Sequence, residues 1–154
     1  MARILTGMLR DQIADDMRAA MKARDPVRVS TLRMLMAAVK NAQVEKRHEL
    51  DDDEVLGVLA REAKKRKESI EAFGDAGRQD LVDKETAELA VLDSYLPEQL
   101  SDDELAAMVD EAIAEARASD PKHMGQVMKV LMPKVKGRAD GSKLSGLVRA
   151  RLGA

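Results

Sequence analysis

Residues 95 to 101, YLPEQLS (Tyr95-Leu96-Pro97-Glu98-Gln99-Leu100-Ser101), interrupt a chain that otherwise reads as helix. Pro97 biases Leu96 away from helical dihedrals. Ser101, followed three residues later by Glu104, has the pattern of a capping box, so a new helix is expected to start there. Working back from this break, Leu81, Val82, Leu89, Leu92 and Leu96 make one apolar face. Before it, residues 51 to 74, DDDEVLGVLAREAKKRKESIEAFG, open on acids, which suit the positive end of a helix, and close on Gly74, an expected stop. Val55, Leu56, Leu59, Ala63, Ile70 and Phe73 are the inner face of that segment. Asp25-Pro26 has the form of a helix start, with Asp as cap and Pro in the first turn. Val29, Leu32, Leu35, Met36 and Val39 follow at helical spacing. Leu9, Ile13, Met17 and Met21 recur every fourth residue and predict the first helix.

Working forward from the break, Leu105, Met108, Val109 and Ile113 face inward. Asp120-Pro121 repeats the Asp-Pro start. Met124, Val127, Met128 and Leu131 continue up to Pro133, and Leu144, Leu147, Val148 and Leu152 make a last helix. Strand alternation is absent from the pattern. The expected fold class is all-α with about seven helices. An N-terminal four-helix domain over residues 1–96 and a small three-helix domain over residues 97–154 are expected, divided near Pro97.

The 154 residues are 45% hydrophobic and 35% charged, and only Phe73 and Tyr95 are aromatic. The core must therefore be aliphatic, with ten methionines as adaptable filler. No cysteine is present, which excludes disulfides, thiolate nucleophiles and thiolate metal sites. That usage agrees with a reducing cytoplasm, and a cytoplasmic location is the expectation. The N-terminal apolar run is too short for a signal peptide and is interrupted by Arg10 and Asp11. No window approaches a membrane span, so no membrane partner is expected. The net charge of −2 hides a division. From Asp80 to Ser119 twelve acids face only Lys84 and Arg117, whereas from Lys122 onward eight cations face only Asp140. Such a chain can meet a polyanion with one end.

Few motifs carry chemistry. The serines lack a strand-turn-helix setting. Neither a phosphate loop nor a dinucleotide fingerprint occurs. His48 and His123 stand far apart among charged residues and read as surface histidines. Asp51 to Glu54 lack the spaced oxygens and turn glycine of a calcium loop and read as helix capping. Neither catalytic residues nor a metal or cofactor are expected. Two basic stretches remain. Arg61, Lys64, Lys65, Arg66 and Lys67 wrap much of a helix. They are either a solvated face partnered by Glu62 and Glu68, or a second nucleic-acid contact through Arg61, Lys64, Lys65 and Lys67. The stretch from 132 to 148, MPKVKGRADGSKLSGLV, gathers Lys134, Lys136, Arg138 and Lys143 around Gly137, Asp140 and Gly141. The glycines permit positive φ, Asp140 suits a helix cap, and the cations can neutralise phosphates without reading sequence. It is either an ordinary connector or a binding loop. The lack of aromatics argues against base stacking, which leaves the backbone of a folded RNA as a partner.

Three further stretches bear on that choice: RVSTLRMLMAAVKNAQVEKR, REAKKRKESIEAFGDAGRQDLV and LVDKETAELAVLDSYLPEQLSDDEL. Together with MGQVMKVLMPKVKGRADGSKLSGLV they resemble the GatB/YqeY family along essentially the whole chain, YqeY-type proteins in particular. The resemblance implies a helical N-terminal domain joined to a small domain similar to the tail of the B subunit of the glutamine-dependent tRNA amidotransferase. That tail contacts tRNA, and a similar module is appended to some bacterial glutaminyl-tRNA synthetases. It therefore implies a tRNA-binding role for Lys134, Lys136, Gly137, Arg138, Gly141 and the neighbouring Lys143, with amidotransferase or aminoacyl-tRNA synthetase components as partners. Family members often carry the label of carbon–nitrogen ligases with glutamine as amido-N-donor. The domains that house this chemistry in the larger enzyme have no counterpart in the stretches above, so catalysis by the chain alone is not expected. A part in such a ligase, and a protein-interaction adaptor using the acidic segment, are the alternatives.

Overall fold

Asp25 has extended dihedrals and its side chain accepts from the Arg28 amide at 3.1 Å, while Pro26 takes the first helical position, where its missing N–H is not needed. This start separates α1 (Met8–Lys22) from α2 (Pro26–Lys46). Asp51 opens α3 (Asp52–Asp75) with a reciprocal capping box: its side chain accepts from the Glu54 amide, and the Glu54 carboxylate accepts from the Asp51 amide. That backbone hydrogen bond, then Lys46, hold the Glu54 carboxyl below its ordinary pKa. α4 (Gln79–Asp93) follows a turn at Gly77, whose φ is +70°. Ser101 caps α5 (Asp102–Ala116) by accepting from the Glu104 amide at 3.1 Å. A single 3-10 turn at Pro121–His123 leads into α6 (Met124–Val135), and α7 (Gly141–Arg151) ends the fold. The computed structural model describes residues 8–153, and among these all regular structure is helical.

The chain divides into two compact units, Met1–Leu96 and Pro97–Ala154. In the first, α1 to α4 enclose Ile13, Leu32, Leu35, Val39, Leu50, Val55, Leu59, Val91 and Leu92. Burying each such Leu or Ile is worth about 1.5–3 kcal/mol. Tyr95 closes this unit: its hydroxyl donates to Asp16 Oδ2 of α1 at 2.5 Å. In the second, α5, α6 and α7 enclose Leu105, Val109, Val127, Leu131, Val135, Leu144 and Val148. No described helix is long and apolar enough to cross a membrane.

Three local expectations are corrected. α3 does not stop at Gly74 but runs to Asp75, and the reversal falls on Gly77. α6 does not stop at Pro133 but continues to Val135, since a proline so near the end disturbs little of the helix that follows. Met21 is half exposed, whereas Ala20 is buried. A strict four-residue repeat drifts by about 40° per step against a 3.6-residue helix, so Met21 has rotated off the stripe that Ile13 buries.

Candidate nucleic-acid interface

The basic stretch begins in the last turn of α6. Val135 is buried, and its carbonyl accepts from the Arg138 amide at 2.8 Å, closing a turn over Lys136 and Gly137. Gly137 has φ +74°, a left-handed conformation that disfavours any side chain with a Cβ. A Cβ there would lie 3.6 Å from Pro97 Cδ, an ordinary contact, so the dihedral and not crowding calls for glycine. Gly141 differs. It sits in the first turn of α7, its φ is not positive, and an added Cβ would meet no atom within 4 Å. Asp140 caps α7 through the Ser142 amide at 3.0 Å.

The turn is tied to the segment after Pro97. The Leu100 amide donates to the Arg138 carbonyl at 2.9 Å. The Gln99 side-chain amide donates to the Gly137 carbonyl at 2.7 Å, and Arg138 Nε donates to the Glu98 carbonyl at 3.2 Å. Both segments belong to the C-terminal unit. The turn is therefore a clasp with a defined conformation.

Its cations have acidic neighbours. Lys134 Nζ lies 3.4 Å from Glu115 of α5, and Lys143 Nζ contacts Asp102 at the start of the same helix. Arg151, at the end of α7, lies 2.8 Å from Asp110 of α5. Lys136 is exposed. All three pairs are solvent-exposed, and such pairs are worth about 0–1 kcal/mol each. The acids that follow Pro97 and the basic C-terminal stretch thus meet within one unit. Residues 97–154 hold nine acids and nine bases, so the division along the chain becomes local pairing in space.

The second basic stretch is split by the helix that carries it. Arg61 and Lys65 border a cleft of about 170 Å³ between α2 and α3, together with Asn41 and Glu45. Lys65 pairs with Glu62 at 3.1 Å. Lys67 lies two residues beyond Lys65, about 160° away around a helix, and Lys64 is half-buried. Arg66 does not belong to an outer face. It is 8% exposed, and its Nε stands 3.1 Å from Glu88 and 3.5 Å from Glu85 of α4, with Met34 of α2 in reach of Nη2. This buried ionic cluster was not expected from the sequence, although a signal exists. Arg66 continues the inward row of Leu59, Ala63 and Ile70, and Glu85 and Glu88 continue that of Leu81 and Leu92.

These features define a class: an all-helical protein of two compact units, the second bearing a basic turn clasped against its own entry segment. The chain belongs to the YqeY-like protein family, whose profile matches residues 10–152. Among curated relatives, it is 30% identical to "Altered inheritance of mitochondria protein 41, mitochondrial" of Kluyveromyces lactis over 142 residues, covering 90% of this chain and 72% of that protein. The protein of the same name from Pyrenophora tritici-repentis is also 30% identical over 142 residues, with 90% and 78% covered. That of Eremothecium gossypii is 32% identical over 123 residues, with 75% and 67% covered. The names correct the expectation of a cytoplasmic location, since these relatives are designated mitochondrial. The physical reason is plain: a chain without thiols is indifferent to redox poise, so its lack of cysteine does not select the cytoplasm.

Proposed function

We propose that the C-terminal unit binds the phosphate backbone of a folded RNA, with tRNA as the favoured class, and that the protein serves a tRNA amidotransferase or synthetase as an associated module without catalysis of its own. One observation carries the reading. Lys136 and Arg138 lie on a turn whose backbone is held by Leu100 and Gln99, with Lys134 in the last turn of α6 and Lys143 in the first turn of α7 on either side of it, so the cations are presented from a fixed frame. The acids paired with Lys134 and Lys143 are exposed, and a polyanion can replace them at small cost. A part in glutamine-dependent amide transfer then comes through the partner enzyme.

Replacing Lys134, Lys136 and Arg138 together by Ala should weaken binding of folded tRNA about equally for different species, because phosphate contacts carry no sequence information. The slope of log K against log salt should flatten by about 2–3, at roughly 0.7–0.9 per contact. Neutralising Asp102, Asp110 and Glu115 as amides should tighten binding, since the competing carboxylates are removed. Gly137→Val should weaken binding with every charge retained, because a β-branched residue resists φ near +74°. An unchanged affinity and salt slope in the triple variant would return the turn to a purely structural role.

A further inference from the structure

The outer face of α6 carries charge that the basic turn does not account for. Residues 121–139 hold five cations, Lys122, Lys129, Lys134, Lys136 and Arg138, and no acid. Lys122, Lys129 and Lys136 stand seven residues apart, a repeat that drifts by only about 20° per step around a helix. The 3-10 turn runs into α6 without a break, because Met124 has helical dihedrals and its amide donates to the Pro121 carbonyl. The three lysines therefore follow one line, opposite the buried row of Val127, Leu131 and Val135. All three are exposed. Fourteen residues at 1.5 Å each make the line about 21 Å long. Lys134 and Lys143 have acids of α5 beside them, but among the described residues the Lys122 and Lys129 ammonium groups have no ion-pair partner. The floor between the lysines is low: Gly125, Gln126 and Pro133 are exposed there, and Met132 is its one large apolar side chain.

Resting on the RNA reading of the adjoining turn, we propose that this face receives one phosphate strand of a double-helical stem, with Lys122 and Lys129 as contacts beyond the turn. Lys136 belongs to both, so the line is continuous with the cations of the turn. A straight helix holds its lysines at spacings of about 10.5 Å. A stem presents phosphates on an equally rigid track, whereas a single strand must be ordered to follow it and finds no aromatic platform on α6. The low floor lets the backbone approach while the long lysine side chains reach up beside it. A protein partner would seek large apolar or aromatic anchors at its centre, and only Met132 is offered. An anionic membrane surface would need an apolar face to bury, which this row of Lys, Gly, Gln and Pro lacks.

The test uses the full chain and three probes: a tRNA, a short RNA hairpin, and oligouridine with the same number of phosphates as the hairpin. Lys122→Ala with Lys129→Ala should weaken tRNA and the hairpin by roughly ten- to fifty-fold at about 0.1 M salt, and flatten the slope of log K against log salt by about 1.4–1.8. Arginine at both positions should retain the binding. Oligouridine should bind more weakly than the hairpin. Both lysines are exposed, so helicity and melting should not change. Replacing Lys134, Lys136 and Arg138 by Ala leaves Lys122 and Lys129 in place and tests the turn separately. If that triple variant weakens binding and the Lys122 and Lys129 variant does not, the turn binds RNA and the face of α6 does not, which overturns this inference alone. If neither variant weakens binding, both readings fall. Oligouridine bound as tightly as the hairpin would overturn the stem. Polyglutamate or anionic vesicles captured through Lys122 and Lys129, with RNA affinity unchanged, would give the face to an acidic protein or a lipid surface instead.

Discussion

Tyr95 is the last residue but one of the N-terminal unit, and its hydroxyl is bound to Asp16. Burial, reinforced by the adjacent carboxylate, pushes the phenol far above its ordinary value near 10. The sign of the linkage follows. Below pH 10 the phenol is protonated in both folded and unfolded chains, and its contribution is fully present. Above pH 10 the unfolded chain ionises and the folded one does not, so stability falls as pH rises toward the folded value. Because Tyr95 is the only tyrosine and tryptophan is absent, phenolate absorbance near 295 nm reports this one residue. The folded protein should resist ionisation above pH 10 and then ionise abruptly on unfolding. A smooth titration centred on pH 10 would show the hydroxyl to be free. Tyr95→Phe should cost about 1 kcal/mol in urea unfolding, the usual worth of one hydrogen bond.

Between elements, the most buried ionic link among the described residues is that of Arg66 of α3 with Glu85 and Glu88 of α4. A buried pair contributes little relative to a well-packed apolar substitute, but removing one partner strands the other. Arg66→Met should therefore lose about 3–5 kcal/mol, because Glu88, 5% exposed, is left without its cation. Adding Glu88→Leu should recover part of that loss, because Glu85, whose Oε2 is buried as well, still lacks its cation. Urea denaturation of the two variants decides it. A loss below about 1 kcal/mol in the single variant would mean that water already solvates the cluster.

At the scale of the whole molecule, each unit encloses its own aliphatic cluster. We expect residues 97–154 expressed alone to be helical by circular dichroism and to melt cooperatively. A domain of about sixty residues is marginal, so its midpoint should lie below that of the full chain. A fragment that is unfolded, or that melts without a cooperative transition, would make the two units one folding domain.

Helix, as a class, was determined by the sequence: the apolar spacing of Leu32, Leu35 and Val39, the Asp25-Pro26 start and the cap at Ser101 act within one or two turns, and local interactions are what a sequence states directly. The break at Pro97 is legible for the same reason. Several helix ends were not. Arg24, Arg47 and Arg117 take positive φ where a glycine would be expected, with Arg47 and Arg117 as C-caps, so no stop signal marks them. The candidate site was half legible. Residue types named the basic turn, and Asp140 announced its cap, but the clasp to Leu100 and Gln99 joins positions about forty apart in the chain. Likewise the pairing of Lys134, Lys143 and Arg151 with α5, and the withdrawal of Arg66 from the surface to Glu88, were decided by tertiary structure. Charge is written in the sequence, but its partner is chosen by the packing of distant helices, because electrostatic energy depends on separation in space and not along the chain.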